Sequence, residues 1–153
     1  MESPFIFVQG LPELEGSEAQ QWLLRANKLA LEFSREVNGD DPHSHATDAM
    51  VIHVAATHVW IATGGRPCWS KLDVEGYVRR FSELPLWEHY EASAIVGLLA
   101  FYCFLVKHKH LTPRQVDGIS RALERLAAPH VWRLFETYGP GIAGLGPAPY
   151  LLN

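Results

Sequence analysis

The feature that most constrains this fold is an apolar run from Ala92 to Val106, which contains no charged side chain. The run is shorter than the roughly 20 residues that span a bilayer as a helix. Hydrophobic residues make up 48% of the chain and charged residues 20%, which is typical of a globular protein with a core of its own. We therefore predict that this run is a buried central helix and that the chain does not engage a membrane.

Helical periodicity and capping signals cover most of the remaining chain, and no pairing strands are apparent. We predict an all-α fold, a single compact bundle of about five to six helices. Residues 1–16 are expected to form a short extended arm, residues 17–138 the bundle, and residues 139–153 an irregular tail rich in glycine and proline. A length of 153 residues is that of one domain.

Caps and apolar periodicity place the first two helices. Ser17–Gln20 has the pattern of a capping box, so the first helix should begin there. Gly39 can end it in the left-handed conformation that glycine adopts at low cost. The second helix is predicted from about Ala46 to Thr63, and we expect it to be central because apolar residues surround it on nearly all sides.

Similar signals place the later helices. Asp73 can cap a short third helix, and a fourth helix is predicted from Pro85 to about Lys109. Thr112–Gln115 is a second capping box at the start of a fifth helix. Pro129 is expected to break this fifth helix and to start a short sixth helix that ends at Gly139.

Charge is distributed unevenly along the chain, although the net charge is only −4. Residues 1–50 contain nine acidic and three basic side chains, whereas residues 107–133 contain six basic and two acidic ones. Arg114, Arg121 and Arg125 fall within about 20° of one line on a helix, and this arginine row is expected to face solvent. The apolar stripe on the opposite side of that helix consists of Val116, Ile119, Leu123 and Leu126.

The arginine row predicts a docking face for an acidic protein surface, because the planar guanidinium binds carboxylates bidentately. The alternatives are a merely solvated face or contact with a nucleic-acid backbone, for which three arginines are weak support. Trp69 and Trp87 are predicted to be exposed anchors for the same partner. The leading interpretation is a non-enzymatic binding protein, such as a regulator, inhibitor or accessory subunit, that needs no cofactor; a subunit of a nucleoprotein assembly is a further alternative.

Eight histidines raise the alternative of a metal site. The candidate ligands are His43, His45, His53 and His58. His53 and His58 lie about 140° apart around a helix, whereas metal-binding pairs on one helix usually stand three or four residues apart. A metal site would therefore need ligands from several helices, and buried, hydrogen-bonded histidines are the other interpretation.

Arg125 and His130 are separated by four residues, and this spacing resembles the motif of HEPN-type RNases, which are also small helical bundles. In that family the arginine and histidine meet at a dimer cleft, and the histidine is placed for acid–base work on RNA. The resemblance covers six residues, and Leu126 stands where the family often has a polar residue. It implies an alternative function as an RNase that uses Arg125 and His130.

The two cysteines, Cys68 and Cys103, lack the spacing of a zinc site and cannot form a disulfide framework. We expect a reducing, cytoplasmic location. The N-terminal segment lacks the basic region of a signal peptide, so none is predicted. No Gly-rich phosphate loop, nucleophile elbow or helical zinc motif is present in the sequence.

Overall fold

The computed structural model of the chain describes residues 8–85 and 87–138, with side chains as far as His130. Its helices are α1 (Ser17–Asn38), α2 (Pro42–Ala62), α3 (Val74–Ser82), α4 (Trp87–Ala92), α5 (Leu98–Lys107) and α6 (Pro113–Tyr138). A π-helical segment, Ser93–Gly97, joins α4 to α5, so that these two form one continuous helix. The described residues contain no strand, and the prediction of an all-α bundle is confirmed.

The two ends of the chain had been predicted as an extended arm and an irregular tail. Residues 8–16 contain no helix or strand, and Val8 is buried in the core. The first seven residues of the arm and the whole of the predicted tail, 139–153, lie outside the described residues.

Helix α1 begins at Ser17 as predicted, but the prediction of a capping box at this position is wrong. Gly16 precedes the helix with φ 100°, and no side chain caps the helix. The Gln20 amide instead donates to the carbonyl of Leu14 at 2.7 Å, so it anchors the incoming chain. At the other end Gly39 follows the last helical residue with φ 63°, a positive angle that glycine adopts without strain.

Helix α2 is the centre of the bundle, as the apolar pattern predicts. Every residue from Met50 to Val59 is buried, and α1 packs along α2 with the Trp22 indole N–H donating to the Ala56 carbonyl at 2.9 Å. The helix starts earlier than expected, because Pro42 suits the first position and the Asp41 carboxylate accepts the His43 backbone N–H at 3.3 Å.

The predicted fourth helix is the continuous helix Trp87–Lys107. Length and apolar composition alone would allow it, and no other helix of the described residues, to cross a membrane. In the bundle its apolar side chains contact the other helices, and the large fully buried ones are Leu98, Leu99, Phe101, Tyr102 and Leu105. The run that dominates the sequence therefore provides a large part of the core.

The π-helical segment within this helix is held by a buried side chain from α3. Tyr77 is fully buried, and its hydroxyl donates to the carbonyl of Ala94 at 2.7 Å. A wider helical turn leaves a carbonyl without its usual i+4 partner, and a side-chain hydroxyl can satisfy it. The π-helical segment therefore interrupts the continuous α-helix that the apolar pattern predicts.

Helix α6 confirms the second capping box but not the predicted break. The Thr112 backbone N–H donates to the Gln115 side chain at 2.9 Å, and the Gln115 N–H donates to the Thr112 hydroxyl at 3.2 Å. The helix then continues through Pro129 to Tyr138. Pro129 is exposed while Ala127 and His130 beside it are buried, so the missing N–H is on the solvent side and packing holds the helix together.

Trp69 is buried, which corrects the prediction that it lies exposed in the Gly-Pro loop. A 3₁₀ turn over Trp69–Lys71 turns its side chain into the core, where it is only 7% exposed. Its ring centroid lies 4.9 Å from that of Trp22 and 5.1 Å from that of Phe101. The Tyr102 hydroxyl also donates to the Trp69 carbonyl at 2.5 Å.

Candidate functional site

The arginine row on α6 is displayed to solvent as predicted. Arg114, Arg121 and Arg125 are all exposed, and Val116, Ile119 and Leu123 are buried on the other side of the helix. The apolar stripe is narrower than predicted, because Leu126 is 37% exposed. Arg121 forms an ion pair with Asp117 one turn earlier, at 3.3 Å between Nε and Oδ1, and both side chains are exposed. Such a surface pair is weak and can be exchanged for another carboxylate.

The turn between α5 and α6 extends this positive region. Lys109 and His110 are exposed just before the helix that carries the arginine row, and Lys109 has a positive φ of 62°. We call Lys109, His110 and the arginine row the basic surface. It combines five side chains from the α5–α6 turn and the outer face of α6.

Two further basic side chains near this turn are engaged by α1. The Glu36 carboxylate lies 2.7 Å from Nε2 of His108 and 3.4 Å from Nζ of Lys107. Partial desolvation opposes ionisation of Glu36, but His108 and Lys107 more than compensate, and the pKa of Glu36 is lowered. These contacts tie the end of α5 to α1, which positions the basic surface relative to the bundle.

The two tryptophans predicted as partner anchors do not join the basic surface. Trp69 is in the core, as described above. Trp87 is half-buried, with its ring centroid 5.7 Å from that of Phe81. Both therefore stabilise the bundle through aromatic contacts, and of the predicted partner-binding residues only the three arginines share one exposed face.

The four candidate metal ligands are not brought together. His43 and His45 lie in the first turn of α2, where the His45 Nε2 is 2.6 Å from the Gly39 carbonyl oxygen. His53 and His58 are buried further along the same helix. Within residues 8–85 and 87–130, no group of three or more His, Cys, Asp or Glu side chains is arranged to hold a metal ion.

A cluster with no signature in the sequence surrounds the buried His58, which is 7% exposed and lies between α2 and α3. The other two members are less buried, since Arg80 is half-buried and Asp73 is exposed. The Nε–H of Arg80 donates to its Nδ1 at 3.0 Å, and Asp73 Oδ2 lies 3.5 Å from its Nε2. Asp73 also caps α3, since its Oδ1 accepts the Gly76 backbone N–H at 3.1 Å.

The contact with Arg80 determines the chemistry of this imidazole. Arginine can only donate, so Nδ1 of His58 must be the accepting nitrogen and Nε2 must carry the proton of the neutral ring. A metal on Nε2 would require removal of that proton while Nδ1 still accepts from Arg80, which would make the ring an imidazolate. His58 is therefore a poor metal ligand, which argues further against the alternative of a metal site.

The pair suggested by the RNase resemblance is separated in this structure. Arg125 is exposed, whereas His130 is 8% exposed and its Nε2 lies 3.5 Å from Oε1 of Glu91. Five residues apart on one helix, the two side chains leave it about 140° from each other. Within one chain they do not form a common site.

Comparison of the chain with known protein families, curated proteins and solved structures finds no match. The basic surface and the His58 cluster are therefore the two candidate sites. The arginine row was visible in the sequence because its spacing is local to one helix. The His58 cluster was not, because its three side chains come from two helices and a cap.

Proposed function

We propose that this chain is a non-enzymatic binding protein that docks onto an acidic surface of a protein partner through the basic surface. The observation that carries the proposal is the arginine row, three guanidinium groups exposed on one face of α6. Among the described side chains, the row forms one ion pair, between Arg121 and Asp117. Arg114 and Arg125 are thus available to carboxylates of a partner.

Electrostatic and geometric arguments favour carboxylates as the ligands. The face spans Arg114 to Arg125, about 16 Å along the helix axis, which matches an extended row of acidic side chains on a partner. Guanidinium groups bind carboxylates in a bidentate geometry and are less strongly hydrated than ammonium groups. Complementary charge also accelerates encounter, so binding should weaken as the salt concentration rises.

The experiment is affinity capture from the native host with nuclease-treated lysate. The test variant carries Arg114→Glu, Arg121→Glu and Arg125→Glu, and the control carries Lys28→Glu, Arg35→Glu and Lys71→Glu. All six side chains are exposed, so the two variants change the net charge equally without opening the core. We expect the wild type and the control to retain a common acidic partner and the test variant to lose it.

Two results would overturn the proposal. One is a captured partner that the test variant retains as well as the wild type does, with circular dichroism showing both folded. The other is capture that disappears on nuclease treatment and is replaced by salt-sensitive binding of a duplex oligonucleotide, which would assign the basic surface to nucleic acid.

A further inference from the structure

The His58 cluster joins α2 to α3 through a hydrogen bond from Arg80 that forms only while Nδ1 of the imidazole is unprotonated. His58 belongs to α2, whereas Asp73 and Arg80 belong to the cap and the last turn of α3. The imidazole accepts one hydrogen bond, from Arg80, and its Nε2 has no hydrogen-bond partner of good geometry among the described residues, although Asp73 lies 3.5 Å away. The neutral ring is thus matched to Arg80 at Nδ1, while its Nε2 faces the Asp73 carboxylate without a hydrogen bond of good geometry.

The charged groups acting on His58 come from α3 and its cap. Arg80 and, more weakly, Arg79 oppose a positive charge on the ring, whereas Asp73 favours it. A proton added at Nδ1 would point at the Nε–H of Arg80, so two donors would face each other at 3.0 Å. The buried ring would then carry a charge next to a guanidinium, which costs free energy unless the two separate.

We propose that His58 is an acid-sensitive latch between α2 and α3, in which protonation of Nδ1 expels the Arg80 guanidinium and releases α3 from the bundle. The latch works on its own and does not depend on the basic surface.

The backbone of α3 leaves the ring little freedom to adjust while the helix stays docked. A Cβ placed on Gly76 would lie 2.6 Å from Nε2 of His58, so α3 meets the imidazole at closest approach. Gly76 thus faces the Nε2–Cε1 edge of the ring, next to the Nδ1 that accepts from Arg80. An imidazole that loses Arg80 has little room to turn on this side while α3 stays docked.

Release of α3 would change the surface of the protein. Tyr77 and Phe81 of this helix are fully buried, and the Tyr77 hydroxyl holds the Ala94 carbonyl in the π-helical segment. Undocking α3 exposes these two rings and removes the Tyr77 hydroxyl from the π-helical segment between α4 and α5. Acid would thus uncover an apolar face that is closed at neutral pH.

The direction of the pH effect follows from the pKa. Burial is the largest cause that lowers the pKa of His58, Arg80 lowers it further, and Asp73 raises it only in part. A lowered pKa in the docked state means that the released state binds the proton more tightly. The latch is therefore closed above the ordinary histidine pKa of about 6.5 and opens progressively as the pH falls below it.

The test is hydrogen exchange of the α3 amides between pH 7.5 and 5, corrected for intrinsic exchange rates. We expect the population with α3 open to rise by up to about tenfold per pH unit, the limit for uptake of one proton. His58→Gln, whose amide can accept from Arg80 but does not titrate, should remove this dependence. His43→Gln and His53→Gln, an exposed and a buried histidine of the same helix, should preserve it.

A pH dependence that persists in His58→Gln, or that disappears in His53→Gln instead, would overturn the proposal. Nitrogen-15 NMR of the wild-type imidazole gives a second readout that needs no variant. We expect the Nε2–H tautomer at pH 7.5. Detection of the Nδ1–H tautomer would show that Arg80 does not donate to the ring and would overturn the latch even if His58→Gln failed to fold.

Discussion

The Nε of Arg80 lies 3.0 Å from Nδ1 of His58, so a guanidinium donates to an imidazole buried between α2 and α3. A permanent cation is thus in direct contact with a side chain that becomes a cation in acid. The arrangement is stable only while the imidazole is neutral, because Arg80 retains its charge at all accessible pH values. This contact makes the interface between α2 and α3 sensitive to the protonation of His58.

Arg80→Gln is expected to raise the pKa of His58, since it removes the nearest charge that disfavours the imidazolium. Arg79→Gln is the matched control. Arg79 directly precedes Arg80, is exposed, and has the smallest effect on the pKa of His58 among the groups that shift it. An NMR titration of the His58 ring measures both variants. Equal shifts in the two would mean that general positive charge, and not the hydrogen bond from Arg80, controls the imidazole.

Gly76→Ala is expected to destabilise the protein by about 1–3 kcal/mol, the usual range for overpacking a well-filled site. The added Cβ would lie 2.6 Å from Nε2 of His58 and closer still to the Asp73 carboxylate. Gly118→Ala on α6 is the control, because a Cβ there meets nothing within 4 Å. It should instead stabilise the protein by up to about 1 kcal/mol through helix propensity. Urea unfolding of the two variants measures both effects, and a Gly76→Ala variant as stable as the wild type would contradict the close packing.

Thr112→Ala is expected to cost about 1 kcal/mol of unfolding free energy, because the hydroxyl accepts the Gln115 backbone N–H at the start of α6. Ser17→Ala is the matched control, since Ser17 has the same sequence pattern but no side chain caps α1. It should change the stability by only a few tenths of a kcal/mol, as surface substitutions usually do. Similar losses for both variants in thermal or urea unfolding would show that Ser17 caps α1 in solution.

The two capping boxes show why local patterns succeed at one place and fail at another. Thr112 and Gln115 form the reciprocal pair that their spacing predicts. Gln20 has the same spacing from Ser17, but its amide donates to the Leu14 carbonyl in the segment that leads into α1. The position of the Leu14 carbonyl depends on how residues 8–16 pack against the bundle. The four residues Ser17–Gln20 contain no information about that packing.

Features that depend on spacing along one helix follow from the amino-acid sequence alone. The central position of α2, the cap at Asp73 and the exposed arginine row all follow from periodicity and short-range hydrogen bonding. These features involve neighbours within about one to three turns, so a single segment contains the information for them.

Contacts between segments that are distant in the chain depend on how the whole bundle packs. Trp69 is buried because Trp22 and Phe101 enclose it, and α6 continues through Pro129 because buried neighbours hold it. The contact of Arg80 with His58 likewise spans 22 residues. A short segment can adopt several conformations that are locally permitted. The stable one is the one that buries apolar surface and satisfies polar groups, and this depends on where the other segments lie.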